Sequence, residues 1–183
     1  TLTQIAMTLK AGYLRPFIFE NWDVAVGGFL TTVVLNSSLS DITARYIGFN
    51  ARLGYNFPKI KEPWKLSLLG GWYYTTMLVT ENAMGYSNLQ GPQIFPTVRY
   101  TVNPKTSVYG YFKYAPITIG TQVLDPFKNQ EIAVGCGANF KLRDKHIIGP
   151  TLDVSLLKIN VFAKTLQSTT ATLGASYTYI FGD

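Results

Sequence analysis

The side chains that most often carry chemistry are few in this 183-residue chain and stand far apart. The one histidine, His146, lies in the turn Arg143-Asp144-Lys145-His146. Histidine is the usual general base at neutral pH, but the reading preferred here is a solvated turn residue. The one cysteine, Cys136, excludes an intramolecular disulfide and a cysteine zinc site. Asp23, Glu131 and Asp153 are isolated along the sequence and can form an acid pair only if the fold joins them. Gly70-Gly71 and Gly135-Cys136-Gly137 are not phosphate loops, because no Gly-Lys-Ser follows them. No catalytic, metal or cofactor site is expected. What remains is a set of single basic residues: Lys10, Arg52, Lys65, Arg99, Lys113 and Lys141.

The elements that must position them alternate with a period of two. Nine segments do so, at about 2–15, 22–35, 42–57, 64–80, 93–103, 106–116, 130–142, 147–162 and 170–182. In the third, Ile47, Phe49, Ala51, Leu53, Tyr55 and Phe57 oppose Gly48, Asn50, Arg52, Gly54 and Asn56. In the seventh, Ile132, Val134, Cys136, Ala138, Phe140 and Leu142 oppose Glu131, Gly135, Gly137, Asn139 and Lys141. Two segments are less regular. The second is apolar on both faces, with Trp22, Val24, Val26 and Leu30 against Ala25, Gly27, Phe29 and Val33. The eighth changes phase toward Ile159 and Val161, as a β-bulge near Leu157 would cause.

The apolar faces carry almost no charge, Arg45 being the exception. The opposite faces hold Gly, Ser, Thr and Asn with the basic set, Glu131 and Asp153. Such a face suits a crowded barrel lumen better than an open surface. Composition agrees. Charged residues are 14% of the chain, against roughly 25% in ordinary soluble domains. The net charge of +6 has no basic cluster behind it, so nucleic acid is not an expected partner. No run of 18 apolar residues forms a membrane helix, and Thr1-Leu-Thr-Gln lacks the basic start of a signal peptide, as in a processed chain. A single barrel domain over 1–183 is expected.

Aromatic residues mark the segment ends: Tyr13, Trp22, Tyr55, Phe57, Trp64, Tyr100, Phe140, Tyr179 and Phe181. In an up-and-down meander they form one ring, as at a membrane interface. Connections alternate between short (58–63, 103–105, 143–146) and longer (81–92, 116–130), the latter carrying Met84, Tyr86, Leu89, Leu124 and Phe127 as candidates for surface recognition.

On these repeats, and on the terminal strand Leu173-Gly174-Ala175-Ser176-Tyr177-Thr178-Tyr179-Ile180-Phe181, the chain resembles small bacterial outer-membrane β-barrels, broadly of OmpA, OmpX or OmpW architecture. Phe181 is followed by Gly182 and Asp183, unlike a strictly terminal Phe, and no functional residue of the family transfers. The resemblance implies an all-β, antiparallel up-and-down transmembrane barrel of 8–10 strands. Nine segments break the even-number rule for bacterial single-chain barrels. A strand before Thr1, a miscounted segment in the N-terminal region, or a second chain supplying a strand would repair it.

The expected function is non-enzymatic: an integral barrel of the bacterial outer membrane with a structural or interaction role. Its expected partners are outer-membrane lipid and lipopolysaccharide, and protein chains completing or docking on the barrel. The first alternative is a small, weakly anion-selective pore, since the lumen's basic set outnumbers Glu131 and Asp153. The same charges could instead be paired in a packed interior with Tyr73, Tyr109 and Tyr111. The second alternative is a soluble lipocalin-like barrel with inverted faces, its cavity lined by Trp72, Phe49 and Leu68. An outer-membrane enzyme would need a His or paired acids at the outer rim; the connection pattern puts His146 at the periplasmic end, which leaves only the acids.

Overall fold

The computed structural model describes residues 1–16, 19–38, 43–79, 86–120, 123–161 and 164–180. Met84 and Phe181 lie outside these residues. The chain is 85% strand and forms a closed nine-stranded barrel. The wall strands are β1 (Leu2–Pro16), β2 (Trp22–Ser37), β3 (Ala44–Asn56), β4 (Trp64–Val79), β5 (Tyr86–Asn103), β6 (Thr106–Ala115), β9 (Gln130–Arg143), β10 (His146–Val161) and β11 (Lys164–Ile180). Between β6 and β9 lie two two-residue strands, β7 (Ile119–Gly120) and β8 (Val123–Leu124), and one 3-10 turn at Pro126–Lys128.

Neighbours along the chain pair antiparallel, and the ring closes on itself. The closing ladder is parallel, β1 on β11, from Leu2↔Ser168 to Leu14↔Ile180. An odd number of up-and-down strands requires this, since the first and last run the same way. The nine segments are therefore nine strands. The barrel needs neither a strand before Thr1 nor a second chain to close it.

Side-chain alternation then sorts residues between wall and bore. On β1, Ile5, Met7, Leu9 and Tyr13 are exposed outside, while Gln4 and Thr8 are buried inside. Cys136 is exposed on the outer wall beside Val134. Phe49, Leu68 and Trp72 also lie on the outer wall, at 55%, 44% and 46% exposure. The inverted arrangement, with these three around a cavity, is not the one adopted.

Three boundaries differ from the sequence reading. First, β10 has no bulge near Leu157; its register with β11 runs unbroken from His146 to Val161. Leu157 and Ile159 keep inward phase because the bore itself turns apolar there. Second, the bulges lie in the β1–β2 ladder, opposite Ile5/Ala6 and Met7/Thr8. They carry Val33 to the outer wall, where it is exposed. Third, the connection read as 81–92 is shorter, because Tyr86–Pro92 extend β5 against β4 as far as Leu78↔Tyr86. Gly91 and Pro92 look like a turn, but Pro92 needs no amide toward β6, whose ladder with β5 starts at Ile94.

Two ends result. The turn end holds the links 19–21, 57–63, 104–105 and 144–145. The opposite end, here the plug end, is filled by Leu2, Ala44, Met77, Leu89, Leu157 and Ile159, with Tyr46 packed on them. At this end the β2–β3 ladder stops at Leu30↔Ile47. Gln4 of β1 takes over from it: its amide donates to the Ala44 carbonyl (2.8 Å) and accepts from the Ala44 N–H (3.1 Å). Replacing Gln4 by Leu orphans both groups in a buried site. It should destabilise the barrel by about 1–3 kcal/mol, read as a lower urea midpoint for refolding in detergent.

Candidate functional site

The bore above the apolar plug is a chamber of about 420 Å³. Eight charged side chains line it: Lys10, Arg52, Lys65, Arg99 and Lys113, and Asp23, Glu131 and Asp153. Strand parity turns each of them inward, and Lys65 and Arg99 stand opposite one another in the β4–β5 ladder. The structure thus brings together five of the six basic residues singled out from sequence, with both acids. The sixth, Lys141, sits at the exposed rim of the turn end, 3.3 Å from Asp144. Asp23, which the sequence marks only as an isolated acid and not as a lumen residue, joins the chamber set. Its signal was there in the phase of β2, which turns Asp23 inward with Ala25 and Gly27.

All three carboxylates are engaged. Asp153 receives both the Lys10 ammonium and the Tyr111 hydroxyl. Glu131 pairs with Lys113 at 2.7 Å, and the Lys113 ammonium also lies 4.4 Å from the Tyr73 ring centre. Asp23 accepts from the Asn56 amide at 2.6 Å, with Lys65 at 3.8 Å. The Tyr73 hydroxyl is 2.8 Å from Thr118 Oγ1 at the plug end.

The two guanidinium groups of the chamber, Arg52 and Arg99, have no carboxylate partner within ion-pair distance among the described residues. Arg52 donates from Nε to Asn50 at 2.9 Å, and its guanidinium carbon lies over Phe95, 4.3 Å from the ring centre. Phe95 is stacked in turn on Tyr111, at 4.4 Å and 21°. Arg99 keeps a buried Nε with no hydrogen-bond partner, and so does the Gln93 side-chain nitrogen.

Two glycines make room for this arrangement. Tyr109 faces Gly137 and Tyr111 faces Gly135 across the β6–β9 ladder. A Cβ at Gly137 would stand 2.7 Å from the Tyr109 hydroxyl, and one at Gly135 would collide with the Tyr111 ring at 2.6 Å. The rings lie over bare backbone, which is what a Gly-rich inner face provides.

The aromatic residues singled out from sequence, other than Phe181, gather at the turn end. Trp22 meets Tyr55 (5.3 Å), Tyr55 meets Phe57 (5.4 Å) and Trp64 meets Tyr100 (4.8 Å). His146 joins them, with Nδ1 2.8 Å from the Tyr177 hydroxyl and its ring 5.2 Å from Tyr179. It faces these rings rather than any nucleophile. Among the described residues no group of His, Cys, Asp and Glu could hold a metal ion. Of the connection residues, Phe127 is 82% exposed, whereas Leu89 is buried in the plug.

No family model, curated protein or solved structure matches the chain.

Two substitutions test the chamber. Asp153→Asn leaves Lys10 without its countercharge and should cost on the order of 3 kcal/mol, read by denaturant titration. Gly135→Val should displace Tyr111 from Asp153, read as loss of the tyrosine near-ultraviolet circular dichroism with the strand signal retained.

Proposed function

We propose that the chain is an integral outer-membrane β-barrel without enzymatic activity, acting as a membrane-anchored structural or interaction module around a closed-ended polar lumen. The observation that carries this reading is the outer wall. Large apolar side chains are exposed on every long strand, among them Leu9, Leu30, Phe49, Trp72, Ile94, Phe112, Val134, Leu152 and Leu173. A soluble monomer rarely exposes a contiguous apolar patch beyond a few hundred Å². A lipid-facing barrel needs such a belt, with polar residues inside. On β1 the exposed apolar run from Ile5 to Tyr13 covers nine residues, and a tilted membrane strand needs about 9–11. The ring at the turn end supplies aromatics for one interface.

The pore reading has less support, because Leu2, Met77, Leu89 and Ile159 are buried in the bore at the plug end. The bacterial assignment loses its even-strand argument. Nine is odd, as is the count of the mitochondrial barrel VDAC. We therefore propose an outer-membrane-type barrel on the strength of the wall.

Purified chain should stay monodisperse in detergent, precipitate on its removal and fold into liposomes in a protease-protected form. Leu30→Arg, in the belt, should cost about 2–4 kcal/mol of folding stability in liposomes. An unchanged stability, or full solubility without detergent, would refute the membrane reading. In planar bilayers the inserted barrel should be silent. Stable conductance steps would restore the pore.

A further inference from the structure

We propose that the lumen is a binding site for a small water-soluble organic anion, whose phosphate or carboxylate group is held by Arg52 and Gln93. This deepens the reading above and rests on its closed-ended lumen. The charge balance is the first support. Five cations share the chamber with three carboxylates, and each carboxylate already holds a lysine at 3.8 Å or closer. The positive excess falls on the two arginines. A guanidinium presents several donors in a planar fork, and Arg52 spends one of them, on Asn50.

The second support is placement. Arg52, Gly71 and Gln93 form one row across β3, β4 and β5. Gly71 contributes no side chain, and the β3 backbone closes over it, with the Ala51 carbonyl against the place where a Cβ would stand. Arg52 and Gln93 therefore stand about two strand spacings apart with no side chain between them on that row. The Gln93 side-chain nitrogen is a donor without a partner, on a residue 4% exposed. An unpaired buried donor is costly, and an anion's oxygen would satisfy it. Phe95 and Tyr111 continue the same wall as an aromatic stack under Arg52, which fits a ligand with a flat apolar part.

The third support is the approach. The chamber ends at the apolar plug and reaches the turn end, where Lys65 and Arg99 lie at its mouth. Around that end stand Arg15, Lys59, Lys61, Lys105, Lys141, Arg143 and Lys145, against Glu20, Glu62 and Asp144 among the described residues. Such an excess of one sign steers anions inward.

The test is titration calorimetry of the whole chain in uncharged detergent without lipid, so that no lipid headgroup supplies the signal. The probe is phenyl phosphate at 0.15 M salt, where the Debye length of about 8 Å damps binding to the rim. One saturable site is expected. Arg52→Gln should weaken it roughly 10- to 100-fold, the loss expected for charge-assisted hydrogen bonds. Gln93→Leu should weaken it several-fold, and Lys128→Gln, at the plug end, should leave it unchanged. Circular dichroism and gel mobility check that each variant folds. Gln93→Leu keeps the test open if Arg52→Gln does not fold. Absence of saturable heat overturns the proposal, as does equal affinity for neutral benzyl alcohol. Unchanged affinity in both Arg52→Gln and Gln93→Leu overturns it too. Conductance in bilayers would instead defeat the closed-lumen reading, so the two failures are separable.

Discussion

The parallel ladder between β1 and β11 is the constraint on which everything else depends. Without it the sheet would have two edges of more than ten residues, each with a row of unpaired amides and carbonyls. Such edges invite aggregation in water and are not tolerated in lipid. Closing them turns a flat alternation of side chains into an inside and an outside. The odd strand number and the parallel seam are one fact seen twice. Gln4 shows how far closure is pursued: where the β2–β3 ladder stops, a side-chain amide bonds both polar groups of Ala44.

Alternation alone does not say which face turns inward. Here the volumes and charges decide. The bore must hold Tyr73, Tyr109, Tyr111 and the charged groups, and it does so over Gly135 and Gly137. The outer face presents mainly large apolar side chains. Putting Lys10, Arg52 and Asp153 inside lets Lys10 and Asp153 pair with each other, gives Asp153 the Tyr111 hydroxyl as well, and gives Arg52 a ring and an amide. A buried charge persists only when it is so engaged.

Much of this was legible in the residues. The nine segments, the parity of every regular strand and the grouping of Lys10, Arg52, Lys65, Arg99 and Lys113 with Glu131 and Asp153 follow from period-two patterning. That nine strands close by themselves through a parallel seam does not, and the even-number rule pointed to eight or ten. The aromatic ends follow from where turn residues interrupt it. What was not legible depends on pairing between distant strands. The bulges opposite Ile5 and Met7 shift β2 by local geometry that no pattern in β2 announces. The reach of β5 back to Tyr86 is imposed by β4, against a Gly-Pro that reads as a turn. Asp23 was not placed in the lumen because β2 is apolar on both faces, so its phase carried little contrast. Lys141 has lumen parity but sits one level too far along β9, where the rim begins.

The apparent phase change in β10 is the most instructive case. An inner face that turns from Ser155 to Leu157 and Ile159 looks like a strand that has slipped by one residue. Its ladder shows no slip. The alternative is that the environment changed while the phase did not. Leu2, Ala44, Met77 and Leu89 arrive at the same level from four other strands, so apolar inner residues there have one another for company. A pattern of two therefore encodes three environments in this barrel: outer wall, polar chamber and apolar plug. A lumen polar along its whole length would favour water from end to end. One that turns apolar over its last level favours it less there, and the proposed closed-ended lumen rests on this short stretch more than on the charges above it.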